Sequence, residues 1–172
     1  MTGTVVLLDA DTVAGWRRAT PSLQQLHAAV ADLRRQHPSV TVAVVADPSI
    51  KWALPEAEQD AFEKDIVTRA VVCAPAGTRD GTHGWLVAVA ERARRHAERV
   101  LVVTDRAVGG LPIVRLTRPD GHFHFDLDGA RPVEGATSTP PHRRRRTGRA
   151  GGTAGRNGTA GRNGTAGRNG TA

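Results

Sequence analysis

A chain of 172 residues with 3% aromatics, no Tyr and one cysteine has room for a single domain whose core is mostly Val, Leu, Ala and Ile. The lone Cys73 excludes an intramolecular disulfide and any multi-cysteine zinc site, and reads as an inert core thiol in an apolar strand. The formal charge of +7 is uneven: residues 140–172 hold eight Arg and no acid, which leaves 16 Lys and Arg against 17 Asp and Glu in residues 1–139.

The chain opens on a strand. Thr4 to Leu8 is an apolar run that ends in acid at Asp9 and Asp11, and so continuous a run belongs inside a parallel sheet. Leu23, Leu26, Val30 and Leu33 follow at helical spacing and predict an amphipathic helix over residues 21–36. Thr20-Pro21 is its expected N-cap and first-turn pair, and Arg34 and Arg35 suit the dipole at its end. A second strand, Val40 to Ala46, runs into Asp47. A helix from Glu56 to about Arg69 places Phe62 and Ile66 one turn apart. Ala70 to Ala74 is a third strand that leads through Pro75 and Gly77 to Asp80. The next helix, from about His83 to Ala97, turns Leu86, Val89, Ala90 and Ala93 inward. Val100 to Thr104 is a fourth strand and runs into Asp105. This alternation predicts a three-layer α/β/α, Rossmann-like architecture with a mainly parallel central sheet.

A different texture follows. Leu111 to Leu116 reads as a fifth strand, and Pro119-Asp120-Gly121 as a turn before His122-Phe123-His124-Phe125-Asp126, whose alternation predicts an edge or hairpin strand. His122, His124 and Asp126 then share one face, which suits a zinc or transition-metal site. It also suits the wet side of an edge strand whose Phe123 and Phe125 cover the core. After Val133 there is no large apolar residue, so residues 134–172 read as a disordered Arg/Gly-rich tail that repeats GTAGRN three times from Gly152. Its run Arg143, Arg144, Arg145 and Arg146 is a candidate RNA contact through phosphate neutralisation. The opening Met1-Thr2-Gly3-Thr4 carries no basic n-region, and no apolar run approaches about 18 residues, so a cytoplasmic protein without membrane contact is expected.

Strand ends that repeatedly reach an acid predict one acidic pocket, and such a pocket at neutral pH calls for a divalent cation, Mg²⁺ or Mn²⁺. Asp9, Asp11, Asp80 and Asp105 are its candidate ligands, with Asp47 on the same rim. Carboxylates gathered around such an ion would polarise a phosphodiester and activate water. Trp52, just beyond the second strand end, is placed for a base to stack on it, with Lys51 beside it for phosphate.

The series Val5-Val6-Leu7-Leu8-Asp9-Ala10-Asp11-Thr12-Val13, then Ala74-Pro75-Ala76-Gly77-Thr78-Arg79-Asp80 before a helix, then Val102-Val103-Thr104-Asp105-Arg106, resembles the PIN-like nucleases, especially the NYN branch. The resemblance covers roughly residues 4–116 and implies a PIN-like domain over residues 1–133 that cleaves RNA endonucleolytically with a metal. Carried over by position, Asp9, Asp80 and Asp105 are the implied catalytic, metal-binding acids. Thr12 stands where the family usually has Asn, and Asp11 is expected to take part of that role. Gly81-Thr82-His83-Gly84 lengthens the usual spacing after Asp80 and brings His83 closer to the site. Thr12 and Arg106 join Lys51 and Trp52 as candidate substrate contacts. RNA is the expected partner, with room for a homodimer.

Two other readings stand beside this one. Asp9-Ala10-Asp11-Thr12-Val13 also fits the opening of haloacid-dehalogenase-type phosphatases, with Asp9 as nucleophile, although the only lysines, Lys51 and Lys64, precede the fourth strand and a distal acidic pair is missing. The third is a non-catalytic RNA-binding module or inactive PIN-like relative, a scaffold whose arginine tail supplies the affinity.

Overall fold

In the computed structural model, which describes residues 3–133, six strands form one sheet in the order β3-β2-β1-β4-β5-β6. They are β1 (Thr4–Asp9), β2 (Thr41–Ala46), β3 (Val71–Cys73), β4 (Arg99–Val103), β5 (Pro112–Thr117) and β6 (His124–Pro132). The pairs from β3 across to β5 are parallel, and β6 returns antiparallel to β5 after a tight turn at Pro119–Gly121. The helices are α1 (Ala10–Ala14), α2 (Leu23–Gln36), α3 (Ile50–Ala53), α4 (Glu56–Val67) and α5 (Gly81–Arg94). The expected tail, including Arg143 to Arg146, lies outside the described residues.

Side chains alternate across the strands and so divide the core in two. Val6, Leu8, Val44, Ala46, Leu101 and Val103 pack with Leu26 and Leu33 of α2 and Phe62 of α4. Leu7, Val45, Val100 and Val102 pack with Leu86 and Ala90 of α5. The domain is therefore a three-layer α/β structure with a mainly parallel sheet. Burial on both faces explains why these strands read as unbroken apolar runs. Among the described residues no helix is long and apolar enough to cross a membrane.

Several boundaries differ from the sequence expectation for local reasons. Ser22, not Thr20, caps α2, its hydroxyl accepting from the Gln25 N–H at 3.3 Å. Helix α4 stops at Val67, and Arg69 turns the chain at φ 60°. Helices α1 and α3 were not foreseen, because a single turn carries no periodicity. Cys73 is half-buried on the edge strand β3, packed against the core and not sealed inside it, with burial pushing its thiol up.

The other edge is covered by polar groups of α2. The buried Asp32 carboxylate accepts from the Phe123 N–H at 2.8 Å, and Gln36 bonds the Phe123 carbonyl and the Phe125 N–H. Burial pushes Asp32 up, but the Phe123 N–H, Arg35 and His122 outweigh it and hold the carboxyl below its ordinary value. His122 is thus turned toward Asp32, His124 is exposed, and Asp126 accepts from the Gly129 N–H at 2.8 Å. This is the wet face of an edge strand, with Phe123 and Phe125 buried behind it.

Helix α5 is seated at its first turn, where a Cβ on Gly84 would overlap the Arg79 carbonyl oxygen. Gly84→Ala is expected to destabilise the domain by about 1–3 kcal/mol. A lowered urea midpoint with an unchanged m-value would report this, and an unchanged midpoint would contradict it.

Candidate functional site

Parallel strands bring their carboxyl ends to one edge of the sheet, and the chain places an acid at each end in turn. Asp9 is the last residue of β1, Asp47 follows β2, Asp80 follows the β3 loop and Asp105 lies just beyond β4. The strand order reverses between β1 and β4, where open α/β sheets form a crevice. At this edge Asp9, Asp11, Asp47 and Asp80 line a cavity of about 270 Å³ together with His83 and Arg106.

Asp9 is buried and fully engaged. Its Oδ1 caps α1, accepting from the N–H groups of Asp11 at 3.2 Å and Thr12 at 3.5 Å. Its Oδ2 accepts from the Thr12 hydroxyl at 3.0 Å and the Thr104 hydroxyl at 2.9 Å. The Thr12 hydroxyl also stands 3.1 Å from Asp105 Oδ1, and its single proton serves one carboxylate at a time. These donors tie β1, α1 and β4 together and occupy both Asp9 oxygens.

Asp11 is the opposite case. Its Oδ2 is buried with no hydrogen-bond partner among the described residues. Burial first and then the Asp9 charge push its carboxyl up; a hydrogen bond from the Asp47 backbone opposes them, the Asp47 charge adds a smaller push, and Arg106 a smaller pull the other way. Asp47 is held below its ordinary value by the Ser49 hydroxyl and N–H, the latter 2.8 Å from its Oδ1, with help from Thr82. Asp80 is exposed, left-handed at φ 62°, and makes no capping bond to α5. Its carboxylate is free at the rim. His83 Nδ1 is buried and also without a partner among the described residues.

The remaining candidates are spread along the edge. Asp105 is exposed and reaches Thr12, with Arg106 Nε 3.8 Å from its Oδ1, but it does not line the cavity. Lys51 pairs with Glu63 and sits 4.7 Å from the ring centre of Trp52, which is 75% exposed; neither lines the cavity. Thr104 and Thr82 were missed as site residues. Thr104 had a signal, being the one polar residue at the end of an otherwise apolar strand. The donors are hard carboxylate oxygens, which suit Mg²⁺ or Mn²⁺. Among the described residues no three His, Cys, Asp or Glu side chains are grouped closely enough to hold an ion by themselves. A Mg²⁺ ion is commonly held by one or two carboxylates, with waters and substrate phosphate completing its shell. The unpartnered Asp11 oxygen among other carboxylates meets that smaller requirement.

Compared with protein-family models, curated proteins and solved structures, the chain matches none.

Because the Asp11 carboxyl is pushed above its ordinary 3.8, the folded state binds the proton more tightly than the unfolded chain. Stability therefore falls as pH rises from that value through the raised one, and the full penalty is present above it. Asp11→Asn is expected to raise the melting temperature at neutral pH, with the gain shrinking as pH is lowered toward the ordinary carboxylate range. A difference that does not vary with pH would contradict this assignment.

Proposed function

We propose that the domain is a PIN-like, NYN-type, metal-dependent endoribonuclease whose acidic strand-end cavity cleaves RNA phosphodiester bonds. The observation that carries this reading is the buried, unpartnered Asp11 oxygen in a cavity with Asp9, Asp47 and Asp80. Such a concentration of negative charge is relieved by a divalent cation. Asp11 would hold Mg²⁺ or Mn²⁺ with the charges of Asp9 and Asp47 behind it, and the ion when bound would supply Lewis acidity toward the phosphate and its attacking water.

The chain's own residues divide the remaining work. Asp9, saturated by Asp11, Thr12 and Thr104 donors, sets the position of α1 and hence of Asp11. Asp80, exposed and unbonded at the rim, stands free to accept a proton from water. Arg106 brings positive charge into a cavity that four carboxylates line and is suited to a substrate phosphate. Asp105 and Thr12 form the neighbouring wall, where the shared hydroxyl proton lets Thr12 turn between two carboxylates. Trp52 and Lys51 lie outside the cavity, where the exposed indole offers a stacking face for a base beyond the scissile position.

The phosphatase alternative draws no support from this geometry: it asks Asp9 to attack phosphorus, and Asp9 is 5% exposed with both oxygens occupied. A non-catalytic RNA-binding relative is favoured by one observation, the absence among the described residues of three side chains grouped around one ion. Cleavage decides between them. The full chain is expected to cut a labelled single-stranded RNA with Mn²⁺ or Mg²⁺ and not with EDTA, and Asp80→Asn to slow cutting by about 100-fold. Cleavage that survives both EDTA and Asp80→Asn, or no cleavage with any metal, would reject the nuclease reading.

A further inference from the structure

A second pocket on the same edge of the sheet has the opposite charge. The segment after α1 and the turn after β5 bring Arg18 and Arg118 to a cavity of about 230 Å³ that also includes Ser22, Gln24 and Gln25. No acidic residue lines it, and among the described residues no carboxylate lies within 4.0 Å of either guanidinium nitrogen set. Two acids stand beside it without pairing with either arginine. Glu58 accepts from the Ser22 hydroxyl and the Leu23 N–H, and Asp120, in the turn that follows Arg118, makes no ion pair with it.

Arg118 is held in place rather than left to wander. Its Nε donates to the Gly121 carbonyl at 3.0 Å, its Nη1 donates to Gln25 Oε1 at 3.2 Å, and its guanidinium carbon lies 4.7 Å from the Phe123 ring centre. Gln25 is itself 6% exposed and fixed, because its amide nitrogen donates to the carbonyls of Val13, Ala14 and Trp16. Arg18 is oriented by one bond, from Nε to the Thr20 carbonyl at 3.3 Å. A third cation stands close by. Arg17 lies 4.5 Å over the Trp16 ring, and Trp16 meets Phe123 edge-on at 5.6 Å between ring centres.

Carbonyl and amide oxygens orient a guanidinium without neutralising it, so Arg18 and Arg118 keep their positive charge and several unspent N–H donors. An arginine fixed in this way loses little entropy when it meets a planar or tetrahedral oxyanion. The pocket also shares an edge with the acidic cavity. Helix α1, which begins directly at Asp9, ends just before Arg17 and Arg18, and Arg118 follows the carboxyl end of β5.

We propose that Arg18 and Arg118 bind a backbone phosphate of the RNA strand, anchoring it one short helix away from the acidic cavity. This rests on the reading of RNA as substrate and adds to it a fixed phosphate subsite built by the folded domain, separate from the arginine tail. The subsite reads charge and not sequence, so its loss weakens different RNAs alike.

The test is binding of a short labelled single-stranded RNA to the full chain in EDTA, by fluorescence anisotropy, between ~50 and ~200 mM salt. The Arg18→Gln/Arg118→Gln pair is expected to lower the slope of log affinity against log salt by about 0.7, the value of one lost phosphate contact on a single strand. Affinity at the lowest salt should fall about tenfold, as for one charge-assisted hydrogen-bonded contact. Arg18→Lys should keep most of the slope, and Arg92→Gln on the exposed side of α5 should keep all of it. Since Arg118 also packs on Phe123, Arg18→Gln alone decides if the pair lowers the melting temperature. An unchanged slope in a folded Arg18→Gln protein, or no RNA binding by the parent chain, overturns the proposal. A lost slope in a protein that never cleaves RNA supports the subsite and rejects the nuclease alone; cleavage with an unmoved slope does the reverse.

Discussion

The Asp9 carboxylate holds the carboxyl edge of this sheet together. It caps α1 with one oxygen and takes the hydroxyls of Thr12 and Thr104 with the other, so strand β1, helix α1 and the end of β4 share one anchor. These donors leave both oxygens of the buried carboxylate hydrogen-bonded. Its neighbours bear the consequence. With Asp9 fixed and negative, Asp11 two residues on is drawn into the same space without a donor for its Oδ2.

That local tension is the feature that gives the edge chemical meaning. A buried carboxylate oxygen without a donor lowers stability, and under the proposed reading a cation from outside the chain would complete it. The surroundings limit what that partner is. Asp9, Asp11, Asp47 and Asp80 disfavour an anion among them, while Arg106 favours one beside it. Under the proposed reading, a cation among the carboxylates and a phosphate beside Arg106 would satisfy both. The arginine pocket extends the same logic along the edge, where Arg18 and Arg118 are oriented by neutral oxygens and keep their charge. The two pockets together give this edge an acidic cavity beside a basic one.

Much of this was legible in the amino-acid order. Strands buried on both faces are continuous Val and Leu runs, and a polar residue at the end of such a run marks the edge of the sheet, which is how Asp9, Asp47 and Asp105 could be placed. His83 was drawn toward the site by the lengthened segment after Asp80, and it does line the cavity. Features that depend on contacts distant in sequence were not legible. Lys51 is taken by Glu63 of α4, Asp80 lines the cavity while Asp105 does not, and the stack of Arg17, Trp16, Phe123 and Arg118 joins segments far apart in the chain. Nor could spacing alone show that both Asp9 oxygens are hydrogen-bonded while Asp11 Oδ2 is not, since one Asp9 donor, Thr104, comes from just beyond the far end of β4.

Thermal unfolding of the full chain against increasing Mn²⁺, with Asp11→Asn beside it, tests the central claim that this cavity binds a divalent cation. A cation that binds only the folded state should raise the melting temperature of the parent chain steadily, by the equivalent of about 2.7 kcal/mol at about a hundredfold excess over Kd. Asp11→Asn should start higher at neutral pH and respond weakly. A parent melting temperature indifferent to Mn²⁺, or an equal response in the variant, would contradict the account.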